Sequence, residues 1–257
     1  MSWSAKQYVA FEDERTRPVR DLLAALPTIP ARSVIDLGCG PGNSTEKLAA
    51  LFPEADVSGI DNSGDMIQAA RRRLPRVRFA VQDIDAWVGE AGFFGVILAN
   101  AVLQWLPDHA QLLPALVGKL VSGGALAVQM PDNLDEPAHR LMREIAVAGP
   151  WAAKLAAAGA ARPALAGADW YYELLRPLCA KVELWRTTYY HSLPGGAAAV
   201  VEWFKGSGLL PFLEPLAADE RGAYLQLYTA AISRAYRSLP DGSVLLPFPR
   251  LFLIAIR

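Results

Sequence analysis

Two cysteines, three histidines and a formal net charge of −1 over 257 residues withhold the usual raw material of several protein classes. Cys39 and Cys179 lie far apart in the sequence. They build neither a disulfide framework nor a zinc spacing, and point instead to a reducing compartment. His109, His139 and His191 show no metal-ligand or triad spacing. A charge balance this close to zero leaves no electrostatic footprint for nucleic acid. Every long apolar run is broken by Gly, Pro or charge before it reaches membrane-spanning length. The first twenty residues are polar and charged where a signal peptide would be apolar. Repeats, low-complexity linkers and charge runs are also missing. With 53% hydrophobic and 20% charged residues the chain is globular rather than disordered. The expectation is a cytoplasmic protein, monomer or weak dimer, with no nucleic-acid, membrane or metal partner.

What is present is organised around Val34-Ile35-Asp36-Leu37-Gly38-Cys39-Gly40-Pro41-Gly42-Asn43-Ser44-Thr45. An apolar run ending in Asp36 reads as a buried strand, and the glycines after it force a tight turn. Asn43 and Ser44 are good caps for the helix pattern that follows. Such a strand, turn and helix start bring a ligand close against backbone. The glycine spacing is G-x-G-x-G, not the G-x-G-x-x-G of a dinucleotide fingerprint, and Asp36 stands two residues before Gly38. A carboxylate there repels pyrophosphate and attracts a cation. S-adenosylmethionine meets that requirement, as a nucleoside cofactor with a sulfonium, an α-ammonium and no phosphate. Cys39 reads as a small packing residue rather than a nucleophile.

From residue 32 strand and helix patterns alternate. Strands are expected over 33–36, 56–60, 77–81, 95–99 and 125–129, and helices over 44–51, 64–73 and 109–120. The alternation predicts a parallel, doubly wound α/β sheet, whose ligands lie beyond the carboxyl ends of the strands. The second strand ends at Asp61, placed to accept from both hydroxyls of a ribose diol, with Asn62, Ser63 and Met66 following. A dinucleotide enzyme carries an acid here too. The plain alternative is a helix N-cap, a role Asn62 or Ser63 can also fill. The third strand ends in Gln82-Asp83-Ile84, which suits an adenine whose amine donates to Asp83 and whose ring Ile84 covers. The fourth runs into Asn100, with Gln104 as a donor, Trp105 as an indole N–H, and Asp108 as the cap of the next helix. Residues 134–178 read as helices, although 152–168 is so rich in Ala and Gly that it carries no functional reading. A strand over 181–191, helices over 197–236 and a last strand over 243–256 follow, with Pro247 and Pro249 pointing to an edge or a bulge. Helix candidates over 4–11 and 16–26 form either a helical arm packing aromatics on the core or a lid turning Tyr8, Arg15 and Arg17 toward a site.

The ordered set D-L-G-C-G-P-G, G-I-D, Q-D-I, A-N-A-V-L-Q-W-L-P-D-H and G-G-A-L-A-V-Q-M-P-D-N resembles the class I S-adenosylmethionine-dependent methyltransferases. Within that superfamily the whole chain is similar to the enzymes that methylate trans-aconitate. That likeness runs from Trp3, Tyr8, Phe11, Glu14-Arg15 and Arg17-Pro18 to Phe248-Pro249-Arg250-Leu251-Phe252. The resemblance implies a Rossmann-like fold with a seven-stranded sheet of order 3-2-1-4-5-7-6 and strand 7 antiparallel. The expected organisation is a single domain over 1–257. It comprises a helical arm (1–30), a cofactor-binding core (31–133), and cap helices with the last two strands (134–257). Cofactor contacts are expected at Asp36, Gly38, Gly40, Asn43, Ser44, Asp61, Asn62, Met66, Asp83, Ile84 and Asn100. Residues 151–168 depart from the family pattern, so no substrate residue is carried onto them.

The resemblance further implies methyl transfer from S-adenosylmethionine to one carboxylate of trans-aconitate, giving a monomethyl ester and S-adenosylhomocysteine. A carboxylic acid titrates near pH ~4 and is already ionised at neutrality. No general base is needed, and alignment with exclusion of water carries the rate. The two carboxylates that do not react call for arginine. Arg15, Arg17, Arg186 and Arg250 are candidates, with Arg250 and one arginine of the arm favoured. Tyr8, Gln104, Trp105 and Tyr190 are neutral donors to the reacting group. Surface pairing, such as Arg15 with Glu12, is the plain alternative. Other readings are a methyltransferase for another small acid or a malonyl thioester, an NAD-dependent oxidoreductase, which Asp36 opposes, and a non-catalytic adenosyl-binding protein.

Overall fold

The apolar runs of the first half are short and alternate with helical patterns, the signature of parallel strands. A computed structural model, which describes residues 12–257, places them as expected. Helix α1 (Glu12–Ala24) leads into β1 (Ser33–Leu37), α2 (Asn43–Leu51), β2 (Asp56–Asp61), α3 (Gly64–Arg73), β3 (Arg78–Val81) and α4 (Ile84–Val88). Then come β4 (Phe94–Asn100), a 3-10 turn (Leu103–Trp105), α5 (His109–Gly118) and β5 (Leu120–Pro131). The second half holds α6 (Pro137–Ala148), α7 (Ala168–Leu175), β6 (Lys181–Pro194), α8 (Gly196–Lys205), α9 (Leu210–Leu213), α10 (Ala218–Ala235) and β7 (Ser243–Ile256). The helix expected over 4–11 lies outside the described residues. Residues 152–167 form turns and one 3-10 turn (Ala158–Ala160) instead of a helix. Gly159, Pro163 and Gly167 interrupt any helical ladder there.

The sheet has seven strands in the order β3-β2-β1-β4-β5-β7-β6. Strand β1 pairs in parallel with β2 and β4, and Leu37 stands opposite both Ile60 and Ala99. The residues that follow these three positions, Gly38, Asp61 and Asn100, therefore leave the sheet at one level. The chain order reverses between β1 and β4, so this level is the topological switch point.

Strand β7 runs antiparallel to β5. Gly123 N–H donates to the Arg257 carbonyl at 2.8 Å, and Arg257 N–H donates to the Gly124 carbonyl at 3.0 Å. Two residues thus oppose one, with Gly123 at φ +74°, which is a glycine bulge that lets β5 begin at Leu120 through a Gly-Gly pair. Pro247 and Pro249 were expected at an edge or a bulge, and β7 lies between β5 and β6 rather than at an edge. The Pro249 carbonyl accepts from Asp132 N–H at 2.9 Å, so residues 247 and 249 both turn their backbone polar groups toward the β5 side. Pro247 falls opposite position 134, past the end of β5. Only one ladder donor is lost, which is why an interior strand tolerates two prolines.

The described residues fall into two compact units. The sheet unit comprises the described residues up to Pro131 with Leu165–Thr187 and Leu251–Arg257. Its core joins Ile35, Leu37, Ile97, Leu113, Val128 and Leu253. The helical unit comprises Asp132–Ala164 and Thr188–Arg250. There α10 is stapled to α6 by buried tyrosines: Tyr224 and Tyr228 donate to the Met142 and Ala138 carbonyls at 2.8 and 3.1 Å, and Ala138 N–H donates to the Tyr236 hydroxyl at 3.0 Å. Among the described residues no helix is long and apolar enough to cross a membrane. Ile97, fully buried in the central β4, offers a test of this core. Ile97→Ala is expected to cost about 2–5 kcal/mol of unfolding free energy in a denaturant titration, and a change near zero contradicts its place.

Candidate functional site

Gly38 (φ +63°) must be glycine, since a Cβ there would lie 2.3 Å from Val102 Cγ2. Gly40 (φ +54°) faces the other way: a Cβ there would meet nothing within 4 Å, leaving an open backbone surface. Below the loop Asp36 is wholly buried, and its Oδ2 accepts from Ser44 Oγ and Thr45 Oγ1, both at 2.7 Å. Its Oδ1 has no hydrogen-bond partner among the described residues. Burial pushes this carboxyl up to about 7, with the Thr45 and Ser44 hydroxyls opposing and the Asp61 charge adding. The capping expected of Asn43 and Ser44 does not occur. The N-cap is Gly42 in the left-handed region, without a side-chain cap. The buried carboxylate claims the Ser44 hydroxyl instead, while Asn43 Nδ2 donates to Thr16 Oγ1 of α1 at 3.4 Å.

Asp61 closes the loop from the side. Its Oδ2 accepts from Gly40 N–H and its Oδ1 from Ser63 N–H, each at 2.9 Å. Burial raises its pKa and these two bonds oppose the rise. Each carboxylate oxygen has a further lone pair for a donor. Capping of α3 falls to Ser63, whose Oγ accepts from Met66 N–H at 3.4 Å. Met66 is buried and Asn62 exposed. Asp83 holds the N-cap position of α4 with no side-chain cap bond, and its carboxylate is exposed beside buried Ile84.

At the end of β4, buried Asn100 has an Oδ1 without a hydrogen-bond partner among the described residues. Ala101 follows in the left-handed region (φ +56°), a conformation that costs a non-glycine residue about 1–2 kcal/mol. It is held there from both sides: Ala101 N–H donates to the Gln129 carbonyl at 2.8 Å, and Gln104 Nε2 donates to the Ala101 carbonyl at 2.7 Å. Gln104 was expected as a donor, and one of the two N–H groups on its Nε2 is taken by the Ala101 carbonyl. The group left without a partner among the described residues is the acceptor Oε1. Trp105 is half-buried on the same 3-10 turn. Both nitrogens of His109 are engaged, Nε2 with the Leu103 carbonyl at 2.9 Å and Nδ1 with the Tyr171 hydroxyl at 2.8 Å. A carbonyl can only accept, so Nε2 carries the proton and Nδ1 accepts from the phenol. Asp108 caps α5 as expected, its side chain accepting from Gln111 N–H.

The remaining candidates divide between the units. Arg17 is exposed on α1, whereas the side chain of Arg15 and all of Tyr8 lie outside the described residues. In the helical unit Arg250 is only 4% exposed, with its guanidinium 4.6 Å from the Phe248 ring and 6.0 Å from that of Tyr189. Tyr190 is 66% exposed; strand alternation gives the buried position to Tyr189. Thr45 and Tyr189 were not singled out from the sequence. Thr45 was legible as a second hydroxyl beside Ser44, and Tyr189 from the period of two along β6.

In the sheet unit the strand ends thus present acceptors: Asp36, Asp61, Asp83, Asn100 and Gln104. Such a set repels a pyrophosphate and fits a ligand rich in donors, with an ammonium, a diol and an amine. The open face of Gly40 allows that ligand to lie against backbone. Comparison with known proteins agrees. The methyltransferase-domain family profile matches residues 34–124. The trans-aconitate 2-methyltransferase of Rhodopseudomonas palustris (strain BisB5) is 53% identical over 255 residues, covering 99% of each chain. That of Azoarcus sp. (strain BH72) is 53% identical over 256 residues, covering 100% of this chain and 99% of that one. Among solved structures, YcgJ from Bacillus subtilis superposes with a TM-score of 0.58 at 12% identity, over 93% of this chain and 97% of that one. A Haemonchus contortus phosphoethanolamine N-methyltransferase 2, in complex with phosphomonomethylethanolamine and S-adenosylhomocysteine, gives 0.52 at 16% identity, over 92% of this chain and 52% of that one. These two likenesses bear on the fold alone. The identity to the curated relatives, sustained from end to end, decides the family: the chain belongs to the trans-aconitate 2-methyltransferases.

Proposed function

We propose that the protein methylates one carboxylate of trans-aconitate with S-adenosylmethionine, releasing the monomethyl ester and S-adenosylhomocysteine. The observation that carries the reading is the row of acceptors at one end of the sheet. When bound, the cofactor supplies a methyl group on a cationic sulfur that departs with its electron pair as the acid's oxygen attacks. Asp61 takes the ribose diol, Asp83 the adenine amine with Ile84 against the ring, and Asn100 and Asp36 the cationic tail. Gly38, Gly40, Asn43, Ser44, Asn62 and Met66 shape the surface around it. The nucleophile arrives ionised, and His109, engaged at both nitrogens, has no base to supply. Rate enhancement then comes from alignment and from the loss of water around two opposite charges. Arg250 and an arginine of α1, Arg15 or Arg17, hold the carboxylates that do not react, with Tyr8, Trp105 and Tyr190 as neutral donors. The two free, buried thiols, Cys39 and Cys179, support a cytoplasmic location.

Methyl transfer measured over a panel of mono-, di- and tricarboxylates tests the reading. Trans-aconitate is expected to lead, and turnover confined to monocarboxylates removes it. Arg250→Ala is expected to raise the Michaelis constant for the acid roughly ten- to hundredfold; an unchanged value removes Arg250 from the site.

Asp83 separates ligand binding from stability, because its side chain makes no cap bond. Asp83→Ala is expected to weaken S-adenosylhomocysteine about five- to tenfold in calorimetry with an unchanged Tm. Equal affinity means that the adenine lies elsewhere.

Asp36 makes cofactor binding depend on pH. Its folded pKa is raised, to about 7, so the protonated form prevails below that value and the ionised form above it. A cationic tail needs the ionised form. Affinity for S-adenosylhomocysteine is therefore expected to rise roughly five- to tenfold between about pH 6 and pH 7.5, with proton release detected in buffers of different ionisation enthalpy. In Asp36→Asn the dependence is expected to vanish, and a persisting slope assigns it to another group.

A further inference from the structure

Among the described residues only Ala101 (φ +56°) and Asp108 (φ +58°) are non-glycines in the left-handed region, and they bracket one short segment. Between them lie the 3-10 turn Leu103–Trp105 and the pair Leu106-Pro107. Proline keeps the residue before it out of helix. Leu106 is accordingly extended (φ −98°, ψ 136°), and the turn does not run on into α5. Strained backbone persists only where its surroundings over-determine it. At the near end Ala101 is held by the Gln129 carbonyl and by Gln104 Nε2. At the far end the hold comes from His109, the first residue of α5. The Leu103 carbonyl accepts from Leu106 N–H and from His109 Nε2, both at 2.9 Å, which uses both of its lone pairs. The hydroxyl of Tyr171, fully buried on α7, donates to His109 Nδ1 at 2.8 Å and so fixes the orientation of the ring.

The braced turn stands at the level of the glycine loop. Val102, just before it, occupies the space that a Cβ on Gly38 would need, so the loop and the turn are packed together. Gln104 is 3% exposed, and with its Nε2 on the Ala101 carbonyl its Oε1 has no hydrogen-bond partner among the described residues. Trp105 follows on the same turn. From this arrangement we infer that His109 is a positioning residue for methyl transfer. Its Nε2–H, oriented by Tyr171, holds the Leu103 carbonyl and with it the turn that presents Gln104 and Trp105. The inference rests on the function proposed above, in which these side chains meet the reacting groups, and adds the brace behind them. The rate depends on such a brace because a displacement of about 1 Å can cost about a hundredfold.

Two substitutions at one position read the brace. His109→Leu removes the donor, whereas His109→Gln offers an amide Nε2 at a similar reach. His109→Leu is expected to lower kcat roughly tenfold, with KM for the acid and affinity for S-adenosylhomocysteine held within about threefold. His109→Gln is expected to recover most of the rate. Tyr171→Phe removes only the hydroxyl and is expected to cost about two- to fivefold in kcat. Because Tyr171 acts through His109, it is expected to cost nothing further in the His109→Leu background. An unchanged kcat in His109→Leu, a loss confined to KM, an equal loss in both His109 variants, or an undiminished Tyr171 cost in the double variant overturns the inference. Amide hydrogen exchange reads the brace without turnover. Protection of Leu106 N–H is expected to fall about tenfold in His109→Leu and to return in His109→Gln. If wild type methylates no acid of the panel, the carboxylate reading fails while that exchange pattern still upholds the brace. Unaltered protection in His109→Leu removes the brace whatever the enzyme methylates.

Discussion

A single buried carboxylate ties the cofactor half of this protein together. Asp36 takes two hydroxyls from the first turn of α2 on one oxygen, and so fixes how β1, the glycine loop and the helix meet. The arrangement puts an acid where a phosphate-binding loop would present bare amides. Placing a charge in a site with no counter-ion costs more than two hydroxyl bonds return, and the carboxyl responds by holding its proton more tightly. The structural tie thus uses one oxygen of this group, while the other has no hydrogen-bond partner among the described residues. Asp61 repeats the logic at the next strand, since it fastens the loop through Gly40 N–H while keeping lone pairs for a ligand.

The strand ends matter together because of register. Leu37 stands opposite both Ile60 and Ala99, so the polar residues that follow these three positions are delivered to one level. Side chains here are set by their neighbours rather than by local preference. Ala101 is held in a left-handed conformation by bonds to Gln129 and Gln104, and His109 ties down the turn that carries Gln104 and Trp105 through the Leu103 carbonyl. Such a surface needs little rearrangement when a ligand arrives.

Much of this was legible in the sequence because its signals are local. An apolar run closed by an acid is a parallel strand, and Asp36, Asp61 and Asp83 could be placed from that pattern alone. The failures share a cause, which is dependence on partners distant in the chain. Ser44 looks like a cap until the buried Asp36 competes for its hydroxyl. The strand expected over 125–129 begins earlier, at Leu120, because Arg257, from the far end of the chain, completes a bulge that continues β5. Pro247 and Pro249 suggest an edge or a bulge, and the end of β5 shows how an interior strand takes them with a single donor missing.

The tyrosines that join α10 to α6 have a consequence of another kind. Tyr224, Tyr228 and Tyr236 each bond to the backbone of α6, and burial raises all three phenols, that of Tyr236 to about 12. Neither helix can open without breaking several of these bonds at once, so the pair behaves as one cooperative foldon. The phenols also act as its optical sensors. While the foldon is closed they resist alkali, and when it opens they ionise near the ordinary tyrosine value and absorb as phenolate. The helical unit therefore carries reporters of its own local unfolding.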